Sequence, residues 1–437
     1  MVSNGIQKNK VLCRVAILIL MLLSFGLGLN KSRTYAPLSV FPPVQPVQPG
    51  ASEPWFSSSF VSTGITTMVH AASVVELDKG KLRAFWFAGS REGGSDVAIH
   101  SAVFSPELHS WSAENTVQTR LSVQSDLNRY IRKLGNPVVV RDPAGKLWLF
   151  IVSTSIGGWS TSSVNVTTSV NGGESWRPVR RLITSPFFNL STLVKTVPFY
   201  YRDGTLGLPI YHELFDKYGE ILRLDASGNV IGKQRLNDNW RTLQPLVLFG
   251  GSDHAVVLMR YSDRQWPRTA IQVVTRDSGR HWSESFRSML PNPDSAMAGT
   301  ALGKGRMIVV VNNNPNQRDD LTLLISEDSG QFWKEVFRFE DQRSLRDYKL
   351  RFAEFAGGIR RQFVATDPDF EISGPRVEAV GAMICRPQTC RYRFDYPYLI
   401  RSSDGHFHLL YTWNRTYIKH IEFNQAWLEA RIKDSEA

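Results

Sequence analysis

The stretch FAGSREGGSDVAI (Phe87 to Ile99) places Arg91, Glu92 and Asp96 around a Gly-Gly pair, directly after the apolar run KLRAFWFAG. Three charges and a flexible turn at the end of a core strand suit either a solvated hairpin tip or the rim of a site. Other residues are equally awkward for a core. Arg260 ends the apolar run VVLMRYSD, a poor place for a guanidinium unless it faces an open channel. His70 opens the run HAASVV, where a satisfied core histidine is the competing reading. Arg318 lies in the Asn-rich loop NNNPNQRDD, and Tyr396 lies in FDYPYLI. Arginine takes a carboxylate through two parallel hydrogen bonds. Arginines set beside an acid and a tyrosine therefore suggest chemistry on an anionic substrate.

The elements that must bring these residues together are repeated hairpins. The form apolar strand, Asp/Gly turn, apolar strand occurs at 74–87, 138–152, 199–211, 246–259, 300–311 and 398–413. β-branched and aromatic residues flanking a Gly-containing turn are a hairpin signal. A second pattern, S/T-x-D/N-x-G-x-x-W, lies out of phase with the first. Its copies are SVNGGESW (Asn171, Gly173, Trp176), TRDSGRHW (Asp277, Gly279, Trp282) and SEDSGQFW (Asp328, Gly330, Trp333). LDASGN and SPELHSW are decayed copies. The acidic or amide side chain accepts backbone hydrogen bonds, glycine takes positive φ, and tryptophan packs on the sheet. These boxes are folding elements. Four short strands repeated six times predict an all-β, six-bladed β-propeller, whose inner strands assemble a site from distant parts of the chain. The Arg-rich segment 338–394 lacks a box and reads as an insertion before the last blade, with a short helix at YKLRFAEFAGG; a seventh blade is the alternative.

With its boxes, the sequence from about Thr67 to Phe423 resembles the sialidase (neuraminidase) superfamily, and within it the bacterial sialidase-like propellers. The resemblance implies arginines on a substrate carboxylate, an aspartate acid/base, and a tyrosine nucleophile helped by a glutamate. The anomeric carbon of a sialic acid bears a carboxylate, so a neutral phenol attacks it more readily than an anion, and sialidases depart from the usual two-carboxylate scheme in this way. A free tyrosine has a pKa near 10 and needs a base or nearby positive charge to act. Carried over residue by residue, Asp96 matches the acid/base and Arg91 an auxiliary arginine. Arg260 and Arg318 match carboxylate arginines, and Tyr396 the nucleophile. Two positions depart from the family pattern. His70 stands where the first carboxylate arginine is expected, and Gln244 where the tyrosine-activating glutamate is expected, with Glu213 as a replacement from the preceding blade; its neighbour His212 and Gln244 are candidates for binding substrate.

Three functions follow as expectations. The first is a sialidase-like exo-glycosidase removing a terminal acidic sugar from a glycan. The second is a polysaccharide lyase on a uronate. There the arginines would acidify the C–H beside the carboxylate, and Tyr396 or His70 would remove its proton. The third is a glycan-binding propeller without catalysis. None needs a metal or cofactor.

The rest of the chain bears on location. Lys8, Lys10 and Arg14 precede an apolar run from Val15 to Leu29, as in a signal sequence. Extended back to Val11 the run approaches the ~20 residues of a spanning helix. Residues 1–33 are expected to be a membrane-embedded signal anchor, or a signal peptide cleaved after Ala36. The Pro-rich stretch 34–54 reads as a semi-rigid spacer, 55–426 as the propeller, and 427–437 as a tail. The propeller is then exported, on the periplasmic or extracellular side. The net charge is +11. Basic residues are scattered rather than clustered in a stripe, which suits an acidic glycan and argues against nucleic acid. Cys385 and Cys390, in CRPQTC, are either a disulfide or two free thiols.

Overall fold

Each of the six expected hairpins forms and opens one blade of a ring. In a computed structural model the described residues are 2–33, 40–43 and 53–436, apart from 186–188, 239, 264, 347, 369–373 and 387–388. Six antiparallel sheets of four or five strands surround a central channel. Their innermost strands are Met68–Glu76, Lys133–Arg141, the short pair Leu193–Val194 and Phe199–Tyr200, Thr242–Phe249, Ala298–Gly303 and Phe394–Arg401. In the third blade the short strands Leu193–Val194 and Phe199–Tyr200 pair inside Leu206–His212. The strand Phe56–Phe60 closes the ring by pairing with Tyr417–Phe423, Phe56 opposite Phe423. The sixth blade therefore joins both ends of the propeller.

The three boxes link third to fourth strands in blades two, four and five. In the first, Gly173 N donates to Ser169 Oγ at 2.9 Å and Ser175 N to Asn171 Oδ1 at 3.1 Å. Asp277 and Asp328 accept the equivalent backbone bonds from His281 and Phe332. Gly173, Gly279 and Gly330 have φ of 93°, 82° and 84°, a conformation that excludes most side chains. The decayed copy at Asp225 turns the same corner in blade three.

The insertion is shorter than 338–394. Lys334–Asp341 pairs with Asp320–Ser326 from end to end, with two register shifts, as the outer strand of blade five, and Phe394 already belongs to blade six. Between them lie two helices, Phe352–Thr366 and Gly374–Ile384, and among the described residues no seventh blade. Phe355, Ile359 and Phe363, four residues apart, form the buried face of the first helix. Phe363 packs on Phe60 at 4.7 Å and on Trp413 at 5.2 Å, so the insertion covers the closing blade. Cys385 and Cys390 form a disulfide beside it. Most of the expected tail is packed: Gln425–Asp434 is a helix whose Trp427 stacks on Phe56 at 4.9 Å.

The N-terminal segment is a helix, Val2–Arg33. Among the described residues, which include the side chains of Val11 to Leu27, no helix is long and apolar enough to cross a membrane, so the expected anchor gains no support. The spacer lies largely outside the described residues.

A chain of neutral donors and acceptors joins blades one and six. Trp111 Nε1 donates to His420 Nδ1 at 3.2 Å, His420 Nε2 meets His408 Nδ1 at 3.1 Å, and His408 Nε2 meets Ser402 Oγ at 3.0 Å. Burial holds His408 down to about 4 and His420 to about 3. An unfolded chain takes up these protons near the ordinary histidine pKa of ~6.5. Stability is thus complete above that value and falls as pH drops toward 4, before most carboxylates titrate. The urea midpoint should decrease steadily between pH 6.5 and 4.5, with a shallower decrease in His408→Asn. A flat wild-type profile would contradict the buried neutral pair.

Candidate active site

A repeated backbone device aims side chains into the channel. Four inner strands carry a β-bulge near their start, each at a residue with positive φ: Ala71 (55°), Asn136 (37°), Gln244 (53°) and Tyr396 (56°). Three of them precede proline, at Pro137, Pro245 and Pro397. A bulge breaks the in–out alternation of a strand and re-aims one residue. Here it turns Asn136, Gln244 and Tyr396 toward a common centre.

These side chains meet around two phenols. Asn136 Nδ2 donates to Tyr211 OH at 3.2 Å. Gln244 Nε2 reaches Tyr211 OH at 3.4 Å and Tyr396 OH at 3.2 Å. Arg260 Nη1 donates to Tyr396 OH at 3.4 Å and to Gln244 Oε1 at 3.3 Å, while its Nε pairs with Asp294 Oδ1 at 2.7 Å. Burial opposes the Arg260 charge, but Tyr396 and Asp294 outweigh it and its pKa is raised. Arg318 donates Nη1 to Asp395 Oδ1 at 2.6 Å and Nη2 to the carbonyl of Asp294. Arg393 Nε holds the other Asp395 oxygen at 2.5 Å. Asp395 is fully buried, yet Arg393 and Arg318 keep its carboxyl far below the ordinary range.

His70 stands beside this group. Its ring centroid is 4.3 Å from that of Tyr396, and its Nδ1 is 3.1 Å from Thr412 Oγ1. Burial lowers its pKa to about 4, against the fields of Asp395 and Glu92, so the imidazole is neutral near pH 7. Buried Lys195 reaches Pro397 O at 3.2 Å and lies 5.6 Å from the Tyr396 ring centre; burial lowers its pKa to about 7.

Of the residues expected from sequence, Tyr396, Arg260, Gln244, Arg318 and His70 come together. Glu213 lies near Arg260, and burial raises its pKa while Lys217 and Arg260 oppose the rise. Its carboxylate makes no hydrogen bond to another described residue. His212 turns to its own blade, against Glu220 at 3.2 Å and stacked on Tyr218 at 4.4 Å, because strand alternation sends it away from the channel. Asp96 is exposed and bound within its own loop, accepting from Ser90 N at 2.7 Å and Ser90 Oγ at 2.9 Å. The small burial raises its pKa, but the Ser90 bonds prevail and lower it. The Arg91 side chain is exposed, without a hydrogen bond to a described residue. From the same loop, Glu92 accepts from Trp159 Nε1 at 3.3 Å.

Tyr211, Asn136, Asp294, Lys195, Arg393, Asp395 and Arg415 escaped the reading of the sequence. Arg415, in the turn between Phe407–Trp413 and Tyr417–Phe423, accepts Val69 N at its carbonyl (2.9 Å), beside His70. Asn-Pro, Gln-Pro and Tyr-Pro at one offset of three hairpins were the available signal for the bulged positions.

The comparisons agree with this architecture. The model of the BNR repeat-like domain family matches residues 80–409. No curated protein matches. Among solved structures, the Hadza microbial sialidase Hz136 is 15% identical with a TM-score of 0.61, over 85% of this chain and 69% of that one. The intramolecular trans-sialidase from Ruminococcus gnavus is 12% identical with a TM-score of 0.58, over 85% and 97%. A protein of unknown function from Dyadobacter fermentans is 10% identical with a TM-score of 0.58, over 84% and 98%. At such identities these likenesses establish the fold.

The Asp395 clamp gives a direct prediction. Removing one partner of a buried ion pair leaves the others uncompensated and costs ~3–5 kcal/mol. Asp395→Ala should lose about that much in urea unfolding; a loss under ~0.5 kcal/mol would mean that water already satisfies Arg318 and Arg393.

Proposed function

The chain belongs to the BNR repeat-like domain family, and on that premise we propose that it is a sialidase-like glycoside hydrolase acting on a terminal acidic sugar. The observation that carries the reading is the position of Tyr396 OH, within 3.4 Å of both Gln244 and Arg260, with Arg318 beyond Asp294. Both neighbours donate toward the phenol oxygen, an arrangement that accommodates an electron-rich nucleophile.

In the proposed reaction Arg260 and Arg318 hold the sugar carboxylate, and Arg393 and Arg415 supply the positive field missing where His70 replaces an arginine. Tyr396 Oη forms a bond to the anomeric carbon as the glycosidic C–O bond breaks. Neutral His70 accepts the phenol proton. Asp96, protonated after exchanging Ser90 for the leaving oxygen, donates to that oxygen. Water then releases the sugar from Tyr396, the two proton carriers reversing roles.

A lyase on a uronate remains the second reading. Gln244 stands where a carboxylate base would be, while a neutral imidazole packs on the phenol, and elimination needs only a proton acceptor and a neutralised carboxylate. The disulfide supports a further proposal, that the propeller works in an oxidising compartment outside the cytoplasm.

Two tests separate the readings. Incubation with sialylated and uronate-containing oligosaccharides should yield new reducing ends without the ultraviolet absorbance of an unsaturated uronate; absorbance together with reducing ends would establish the lyase. In either case Tyr396→Phe should lower turnover at least ~10³-fold with binding retained, and full activity in that variant would remove Tyr396 from the mechanism. Gln244→Glu places a carboxylate on the Tyr396 phenol and should raise hydrolysis by about tenfold; a fall in rate would count against a tyrosine nucleophile.

A further inference from the structure

A cleft of about 980 Å³ opens beside Arg318, lined by residues of blades three to six and of the insertion. Seven of its lining residues are cationic and two, Asp263 and Asp294, are acidic. Both acids are already engaged, Asp294 by Arg260 and Asp263 by Arg241 at 3.6 Å. Arg318 and Arg393 share Asp395, and Lys217 Nζ donates to Ser262 Oγ at 2.6 Å. Arg268, Arg386, Arg391 and Arg415 remain. None of these four guanidiniums has a hydrogen bond or ion pair with a described residue, and Arg268 Nε is buried without any partner.

Two of them, Arg386 and Arg391, each follow one of a pair of covalently joined cysteines. The Cys385–Cys390 disulfide closes the loop between them, and Arg386 and Thr389 exchange both backbone hydrogen bonds, at 2.9 and 3.0 Å. Cys390 N ties it to Leu350 O at 2.8 Å. Like charges crowded on one surface repel, and an anion bound among them relieves that repulsion.

We propose that this cleft is a second anion subsite, which takes a negatively charged group on the sugar next to the one held at Arg260 and Arg318. The preferred substrate is then a chain carrying anions on adjacent residues. The group is the carboxylate of a second acidic sugar, or a sulfate ester in the same place. This assignment rests on the proposed function, since it needs a first acidic sugar at the centre.

Equilibrium binding to the full-length protein tests it with three probes: N-acetylneuraminic acid, its α2,8-linked dimer, and a sulfated sialyllactose. The dimer should bind at least ten times more tightly than the monosaccharide, with a steeper dependence on salt. The Arg268→Gln/Arg391→Gln double variant should lose that advantage and keep the monosaccharide affinity. A gain for the sulfated sugar alone would support the subsite and identify its ligand as a sulfate. Equal affinity of wild type for all three, with the monosaccharide still bound, would overturn the subsite while sparing the proposed function. Failure of all three to bind would overturn both, and so would binding unaffected by Arg260→Ala.

Discussion

A left-handed residue in an inner strand is the constraint on which this site depends. A non-glycine residue held at positive φ costs ~1–3 kcal/mol, and the propeller accepts that cost four times on one face. Sheet packing on either side of each bulge supplies the compensation: Val138, Leu246 and Tyr398, just beyond three of them, are all buried. In return Asn136, Gln244 and Tyr396 leave the strand alternation and meet above the channel. A regular strand at the same positions would turn them into the walls between blades.

Charge is balanced in the same small volume. Asp294 and Asp395 are shared among Arg260, Arg318 and Arg393, so one acid on a blade connection and one on an inner strand fix where the arginines point. The remaining buried bases are kept from adding to the positive field. His70 is neutral near pH 7, and Lys195 is poised near its own titration. A carboxylate arriving at Arg260 and Arg318 therefore meets fixed donors, with little rearrangement of protein charge needed before it binds.

How much of this is legible in the sequence depends on the range of the interaction that determines it. The hairpins and boxes are local: Ser169, Asn171 and Gly173 fold their own turn, so their spacing alone announces the propeller. Arg260 stands out because it interrupts an apolar run, whereas Arg318 and Tyr396 are marked only by the resemblance to sialidases. Asp395 does not, since its reason for burial is a pair of arginines, one of them 77 residues away. His212 misleads because its neighbour Tyr211 faces the centre while it faces outward. Asp96 occupies the expected loop, but Ser90, six residues before it, holds its carboxylate there. The boundary of the insertion is displaced because Arg338, which reads as part of an Arg-rich excursion, pairs with Asp320 at 2.5 Å inside blade five.

Phe41 gives the molecule a direction. It is fully buried between Tyr201 and Phe249, and its amide is bonded to Ser252 O at 3.0 Å. Pro42 and Pro43 line a second cavity of about 820 Å³ at the far ends of the inner strands, among Glu76, Arg141 and Ser403. The bulged residues and the arginine cleft lie at the opposite ends of those strands. The stretch 40–43 is thus fastened to the floor of the propeller. That stretch therefore leaves the cationic mouth uncovered, since it packs at the opposite end of the inner strands.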